Sequence, residues 1–396
     1  TVCVVGKIRD LILQLSKSSI YSTKPIKDIN MIRSIHYLRG ISALFVVLFH
    51  MQGYLNNETY GNLGYQLFGF GNVGVDLFFV ISGYIICLSA KDFTFGTLHI
   101  YAIKRAFRIY PVLIFSALLW YAFLPGNKDL GFLLRSIIPV QSNYNDSPPY
   151  FGFNLIYPAW TLTYEVAFYA IYALCFSLSY KHKNKMALAV TILLPLFLQL
   201  ITSHGITMSG EQKIAISSDT YSNEITTLFS SPMFIDFSFG ILIYCIFNCP
   251  LSNYILAFRK CSLCISLLVL FTSLGLIVTK SIHGHGPFGF GIFSALIVLS
   301  MLAIEKNHGI ANVYGLGFLG NISYSLYMTH VLIYHGLDGA GILVSMDGVY
   351  KLVLMVFLSL VFSYMVHQSI EKPFIQLSRS VIKMIEQRMF FIFNNN

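Results

Sequence analysis

Charge is what this sequence has least of. Only 11% of its 396 residues are Asp, Glu, Lys or Arg, against 56% hydrophobic, and the mean hydropathy is +0.67. Soluble domains carry about a quarter charged residues, so an ordinary water-soluble globule is excluded. There is no secreted disulfide framework either. The seven cysteines (Cys3, Cys87, Cys175, Cys245, Cys249, Cys261, Cys264) lie mostly within apolar runs or beside basic loops. The first 30 residues carry no cleavable-leader pattern, because "KSSIYSTKPIKD" is polar and follows a short, interrupted apolar patch. No Gly-rich phosphate loop followed by Lys occurs, and no fixed-period repeat. Matching Gly- or Pro-broken helices in two halves, the mark of many transporters, are also missing.

What is present is a series of apolar stretches from residue 36 to residue 370. They point to an all-α integral membrane protein. Ten spans are expected, at about 36–55, 74–90, 108–124, 158–179, 186–204, 226–247, 262–280, 287–304, 316–336 and 350–370. The division that follows is a cytoplasmic N-terminal extension over 1–35, a membrane domain over 36–372 and a cytoplasmic C-terminal tail over 373–396. The net charge of +9 is read as topology rather than as a nucleic-acid signal. With the N-terminus inside, the cytoplasmic side receives twenty of the 26 Lys and Arg and the opposite side five. That bias supports both termini in the cytoplasm and an even number of spans.

A few polar residues sit where hydrocarbon penalises them. Arg39 and His50 bracket the first span, "HYLRGISALFVVLFHM". Eleven residues apart, they lie ~20° apart around a helix and ~16 Å apart along it, so they share one face at two depths. Arg39 is near the cytoplasmic surface, where it could be a simple snorkelling anchor. His50 is in the outer half. Asp76, in "GNVGVDLFFVISGYII", is expected at the depth of His50, where its carboxylate would orient the imidazole. Arg105 and Arg108, in "LHIYAIKRAFRIYPVLIF", are i,i+3 neighbours on one face. They read either as a topology-setting cluster or, with Arg39, as a receptor for phosphate groups. Glu165, in "YPAWTLTYEVAFYAIY", is expected at the same depth as His50 and Asp76, and an aromatic belt accounts for Trp160 beside it. Asp236 and His330 are further intramembrane candidates.

Other signals are discounted. Cys245, Cys249, Cys261 and Cys264 resemble a four-thiolate zinc spacing, but their surroundings are apolar, so no metal is assigned. His283 and His285, in "HGHG", read as part of a Gly-rich loop.

A cationic cluster inside and a histidine with carboxylates outside suit a donor that binds by its phosphates and reacts at its far end. The ~16 Å from Arg39 to His50 is within reach of an extended pantetheine arm. That suggests acyl transfer from a cytoplasmic acyl-CoA, with a neutral histidine removing the acceptor's hydroxyl proton or taking the acyl group first.

Taken in order, the Arg39/His50 pair, "GVDLFFVISGYII", the Arg105/Arg108 pair, "WTLTYE", "ISYSLYMTH" and "SIEKPF" resemble the acyltransferase-3 membrane proteins. These O-acylate extracytoplasmic glycans and other acceptors, and the resemblance spans about 33 to 375. It implies a ten-helix fold and acetyl-CoA as donor, with membrane lipid around the bundle and no nucleic-acid partner. It makes His50 the catalytic histidine and Arg39, Arg105 and Arg108 the CoA-side residues. Glu165 matches the acidic position of the Trp-x-x-x-x-Glu stretch headed by Trp160, and Asp76, Tyr327 and His330 carry over as further site residues. Some relatives append an esterase-like domain. The chain ends soon after "SIEKPF", so direct transfer or a separate extracytoplasmic transferase partner is expected. The implied acceptor is a glycan or lipid-linked saccharide such as O-antigen, capsule or exopolysaccharide, at a bacterial cytoplasmic (inner) membrane. The alternative from another class is a transporter or exporter of a small anionic or acylated substrate. A glycan polymerase is disfavoured, because the outer gaps are short.

Overall fold

The computed structural model describes residues 32–91, 97–123, 129–138, 140–141, 143–203, 205–213, 222–249, 259–341 and 346–394. The expected N-terminal extension, with Cys3, lies outside the described residues up to residue 31. The described chain is a helical bundle: α1 Arg33–Met51, α2 Leu63–Phe68, α3 Val73–Ser89, α4 Leu98–Phe123, α5 Leu130–Ile137, α6 Trp160–Leu178 and α7 Lys183–Ser203. It continues with α8 Ser222–Phe229, α9 Phe234–Phe247, α10 Arg259–Val278, α11 Ile292–His308, α12 Tyr314–Gly339, α13 Gly348–Val366 and α14 Lys372–Asn394. Strand structure among the described residues is one two-residue hairpin, Asn56–Asn57 with Gly61–Asn62.

Among the described residues eight helical segments are long and apolar enough to cross a membrane, so the chain is a multi-pass membrane protein. The other two expected spans differ for separate reasons. Around 226–247 the helix breaks between α8 and α9 at Pro232, which cannot donate to the helical ladder. That leaves an apolar helix of 14 residues. Helix α12 is 26 residues long but carries many polar side chains, and Ser323, Ser325, Thr329 and His330 are all fully buried. Its low hydropathy therefore reflects a polar interior face. The last span does not stop near residue 370. It passes through a wide π-type turn at His367–Glu371 into α14, so the expected tail is helical as far as Asn394.

Helix α3 is the axis of the bundle: 72% of its spanning stretch is buried, against 17% for the span in α10. Two close crossings set the interior. A Cβ at Gly240 of α9 would stand 1.9 Å from the Val80 carbonyl oxygen of α3. A Cβ at Gly40 of α1 would stand 2.6 Å from the Gly320 nitrogen of α12. Only glycine permits such approaches, as small residues do between membrane helices generally. The second crossing presses Arg39 and the rest of α1 against the polar face of α12.

The two ends of the bundle are fastened differently. At the start of α1, Glu305 accepts the backbone N–H groups of Arg33 and Ser34, each at 2.8 Å. This satisfies helix-terminal donors that would otherwise be orphaned. At the far end, Tyr54 donates to Asp338 at 2.6 Å and Lys351 pairs with the same carboxylate at 2.6 Å. Helix α1 thus runs from an arginine-rich end to a histidine-bearing end.

Candidate active site

Arg39, Arg105 and Arg108 converge on one cavity of about 300 Å³, with Lys104 also in its wall. Each guanidinium is held from a different direction. Arg39 donates from Nη2 to Ser323 Oγ on α12 at 3.1 Å. Arg108 pairs with buried Glu371 at 3.6 Å. That carboxylate also accepts Ser325 Oγ at 2.7 Å and lies 3.0 Å from His367 Nδ1. Arg105 donates to Ser89 Oγ and lies over the Tyr169 ring, 4.9 Å from its centroid. Its buried Nε has no partner among the described residues. Among the described residues the wall carries four cations and one carboxylate, Glu165, a balance that suits phosphate groups.

Away from the arginines the wall is apolar and aromatic, with Val75, Phe78, Phe79, Ile109 and Leu162. Thr161 and Tyr327 also line the cavity. Tyr327 donates to the Pro158 carbonyl at 3.0 Å, its hydroxyl is 3.0 Å from Thr161 Oγ1, and its ring meets Phe78 edge-on at 5.4 Å. One turn along α12 from Tyr327, His330 meets His50: His50 Nδ1 lies 2.8 Å from His330 Nε2. His330 is fully buried and His50 partly so. The Tyr157 ring stands edge-on to His50 at 5.0 Å.

The structure therefore brings Arg39, Arg105, Arg108, Glu165 and Tyr327 to one cavity and places His50 with His330 beside Tyr327, whose ring is 6.3 Å from that of His330. Two placements differ from the sequence expectation. Glu165 lies with the arginines, accepting Ser82 Oγ at 3.2 Å and the Tyr169 hydroxyl. It is not beside His50, because its turn of α6 faces the cavity. Asp76 does not orient His50. Its Oδ2 is 2.7 Å from His285 Nδ1 and its Oδ1 accepts the Gly286 N–H at 3.0 Å. A loop far away in sequence supplies those partners. Trp160 belongs to this second cluster, with its ring 5.8 Å from His285.

His285 is almost fully buried, and burial opposes its charged form. The Asp76 charge and hydrogen bond outweigh that, helped by Glu211, so its pKa is raised above the ordinary 6.5. Asp236 is fully buried nearby, and both its oxygens lack hydrogen-bond partners among the described residues.

Sequence reading missed His285 and Glu371. The first was set aside with its glycines. The second stood in plain view in "SIEKPF", where a carboxylate beside Lys reads as surface. The π-type turn at His367–Glu371 points it inward instead. Among the described residues no group of three or more His, Cys, Asp or Glu is placed to hold a metal ion.

Comparison with known proteins gives two results. Residues 32–368 match the family described as an acyltransferase domain. A curated protein named "Acyltransferase MdmB", from Streptomyces mycarofaciens, is 30% identical over 153 residues, covering 36% of this chain. The chain spans 38% of that relative's length. No solved structure matches.

Proposed function

The chain belongs to the acyltransferase-3 family, and from that premise we propose that it is a membrane O-acetyltransferase. It moves an acetyl group from cytoplasmic acetyl-CoA to a hydroxyl of an extracytoplasmic glycan such as O-antigen, capsule or exopolysaccharide, in a bacterial inner membrane. One observation carries the reading: a single cavity runs from a cluster of arginines along an apolar wall to Tyr327, with a histidine pair beside that tyrosine. That gradient matches a donor with phosphates at one end, an uncharged arm and a thioester at the other.

In this reading Arg39, Arg105 and Arg108 hold the donor's phosphates, and Glu371 and Ser323 fix the angles of two of those guanidiniums. The acceptor hydroxyl gives its proton to His50 as its oxygen attacks the thioester carbonyl. The C–S bond breaks, and the same proton passes from His50 to the departing CoA thiolate, so no net proton is released. A route in which His50 first takes the acetyl group uses the same atoms and leaves a transient acyl-imidazole. Transfer to the final glycan is either direct or through a separate extracytoplasmic transferase.

Labelled acetyl-CoA supplied to the purified protein in proteoliposomes, with a surface polysaccharide as acceptor, tests the proposal. Label should appear in the polysaccharide with wild-type protein and vanish with folded His50→Ala. Transfer at the wild-type rate in that variant would remove His50 from the mechanism.

A further inference from the structure

The contact between the two histidines says more than that they are near. His330 Nδ1 lies 3.0 Å from the Leu326 carbonyl oxygen, which can only accept. The proton in that bond therefore sits on His330 Nδ1. A neutral imidazole carries one N–H, so His330 Nε2 is left as a lone pair. That lone pair is 2.8 Å from His50 Nδ1 and can only accept from it. The proton of neutral His50 is thus on Nδ1, and its bare, basic nitrogen is Nε2. Two hydrogen bonds and one backbone carbonyl settle the tautomer of both rings, since the bond made by one ring nitrogen decides the state of the other.

From this we infer that His330 is the positioning residue of the reaction: it fixes His50 in the tautomer whose Nε2 takes the acceptor's proton, or the acetyl group. The inference rests on the function proposed above and adds which nitrogen reacts and what holds it there. When Nε2 gains the hydroxyl proton, Nδ1–H stays bonded to His330, and that bond strengthens because its donor is now cationic. The proton cannot travel on through His330, whose other nitrogen is occupied by its bond to Leu326. It leaves again from Nε2 to the CoA thiolate. A carboxylate in the place of His330 would hold the imidazolium more tightly and oppose that return.

The geometry of the pair also fits a working position. His330 is fully buried, the two rings are within 15° of coplanar, and both belong to helices locked together at Gly40 and Gly320. Neither ring can turn over without breaking a bond.

The test combines nitrogen-15 spectra of histidine-labelled protein with kinetics. The His50 signals are identified by their loss in His50→Ala. The wild-type spectrum should show His50 protonated at Nδ1 and bare at Nε2. In His330→Phe, which has no acceptor, the tautomers should mix. There kcat should fall about 10- to 100-fold, as when a partner that orients an imidazole is lost, while KM for acetyl-CoA stays within about twofold. His330→Gln can offer an amide oxygen to His50 and should recover most of the rate. A bare Nδ1 on His50 in the wild-type protein would overturn the assignment without any variant. So would a His330→Phe protein with unchanged kcat. If His50→Ala itself transferred acetyl normally, the proposed role of His50 would fail, whereas the nitrogen spectrum would still decide how the two rings are bonded.

Discussion

Two imidazoles in this bundle, His50 and His285, are each held through Nδ1, at nearly equal distances, and are suited to opposite tasks. His50 meets the neutral nitrogen of His330 at 2.8 Å, and His285 meets the carboxylate of Asp76 at 2.7 Å. Burial opposes the charged form of His285, but the Asp76 charge and hydrogen bond outweigh it and raise the pKa from the ordinary 6.5. The pair ties the loop before α11 to α3, and the Gly286 N–H adds a second bond to the same carboxylate. Among the described residues His50 meets His330 rather than a carboxylate, and in the proposed reaction it gains a proton and releases it. Under the proposed reaction, the buried His–Asp pair is not the reactive one. The residues behind the imidazole decide, more than the presence of an acid.

The sharpest way to break this comparison is to remove each centre in turn. His50→Ala should lower acetyl transfer by about 10²–10⁴-fold, the usual worth of a positioned acid–base group, with thermal stability near that of the wild type. Asp76→Ala should do the reverse. It leaves His285 buried without its partner, which costs about 3–5 kcal/mol, read as a lowered melting temperature. Transfer per folded molecule should fall less than tenfold. A loss as deep as that of His50→Ala would return Asp76 to the reaction.

At the other end of the path, Arg105→Ala should raise KM for acetyl-CoA by about tenfold or more, since a hydrogen bond to a charged group is worth about 1.5–3 kcal/mol. A steady-state titration of acetyl-CoA checks it, and unchanged KM would move the phosphate site elsewhere. The smallest effect is in pH. A group whose pKa is raised by folding contributes stability in full below its unfolded value and loses it as pH climbs through the folded value. His285, facing Asp76 and Glu211, should therefore stabilise the protein most below about pH 6.5. The gap in melting temperature between wild type and His285→Gln should be widest there and narrow as pH rises. A gap that widens toward alkaline pH would contradict the charged pair.

Much of this arrangement was legible in the sequence because the relevant residues are misfits in it. Arg39, Arg105 and Arg108 stand out against apolar runs, and helical spacing alone puts the latter two on one face. They do meet in one cavity. His50 stood out for the same reason. Partners separated by hundreds of residues were not legible. His330 is 280 positions from His50, and nothing local in "YMTHVLIY" says which helix it faces. For Asp76 and Glu165, position in the sequence gives a depth along the membrane normal and no direction around the helix axis. Each side chain's direction around its helix then sent it to a different neighbour. Helix α12 shows the same limit at the level of the fold: its polar residues lower its hydropathy because they face inward. Glu371 required a turn geometry that no spacing rule supplies.

The central claim is that the arginine end and the histidine end serve one reaction in different ways, and acetyl-CoA affinity measured on folded variants tests it most directly. His50→Ala should bind acetyl-CoA as the wild type does while failing to transfer, and Arg105→Ala should bind it weakly. Normal affinity in Arg105→Ala together with lost affinity in His50→Ala would contradict the account.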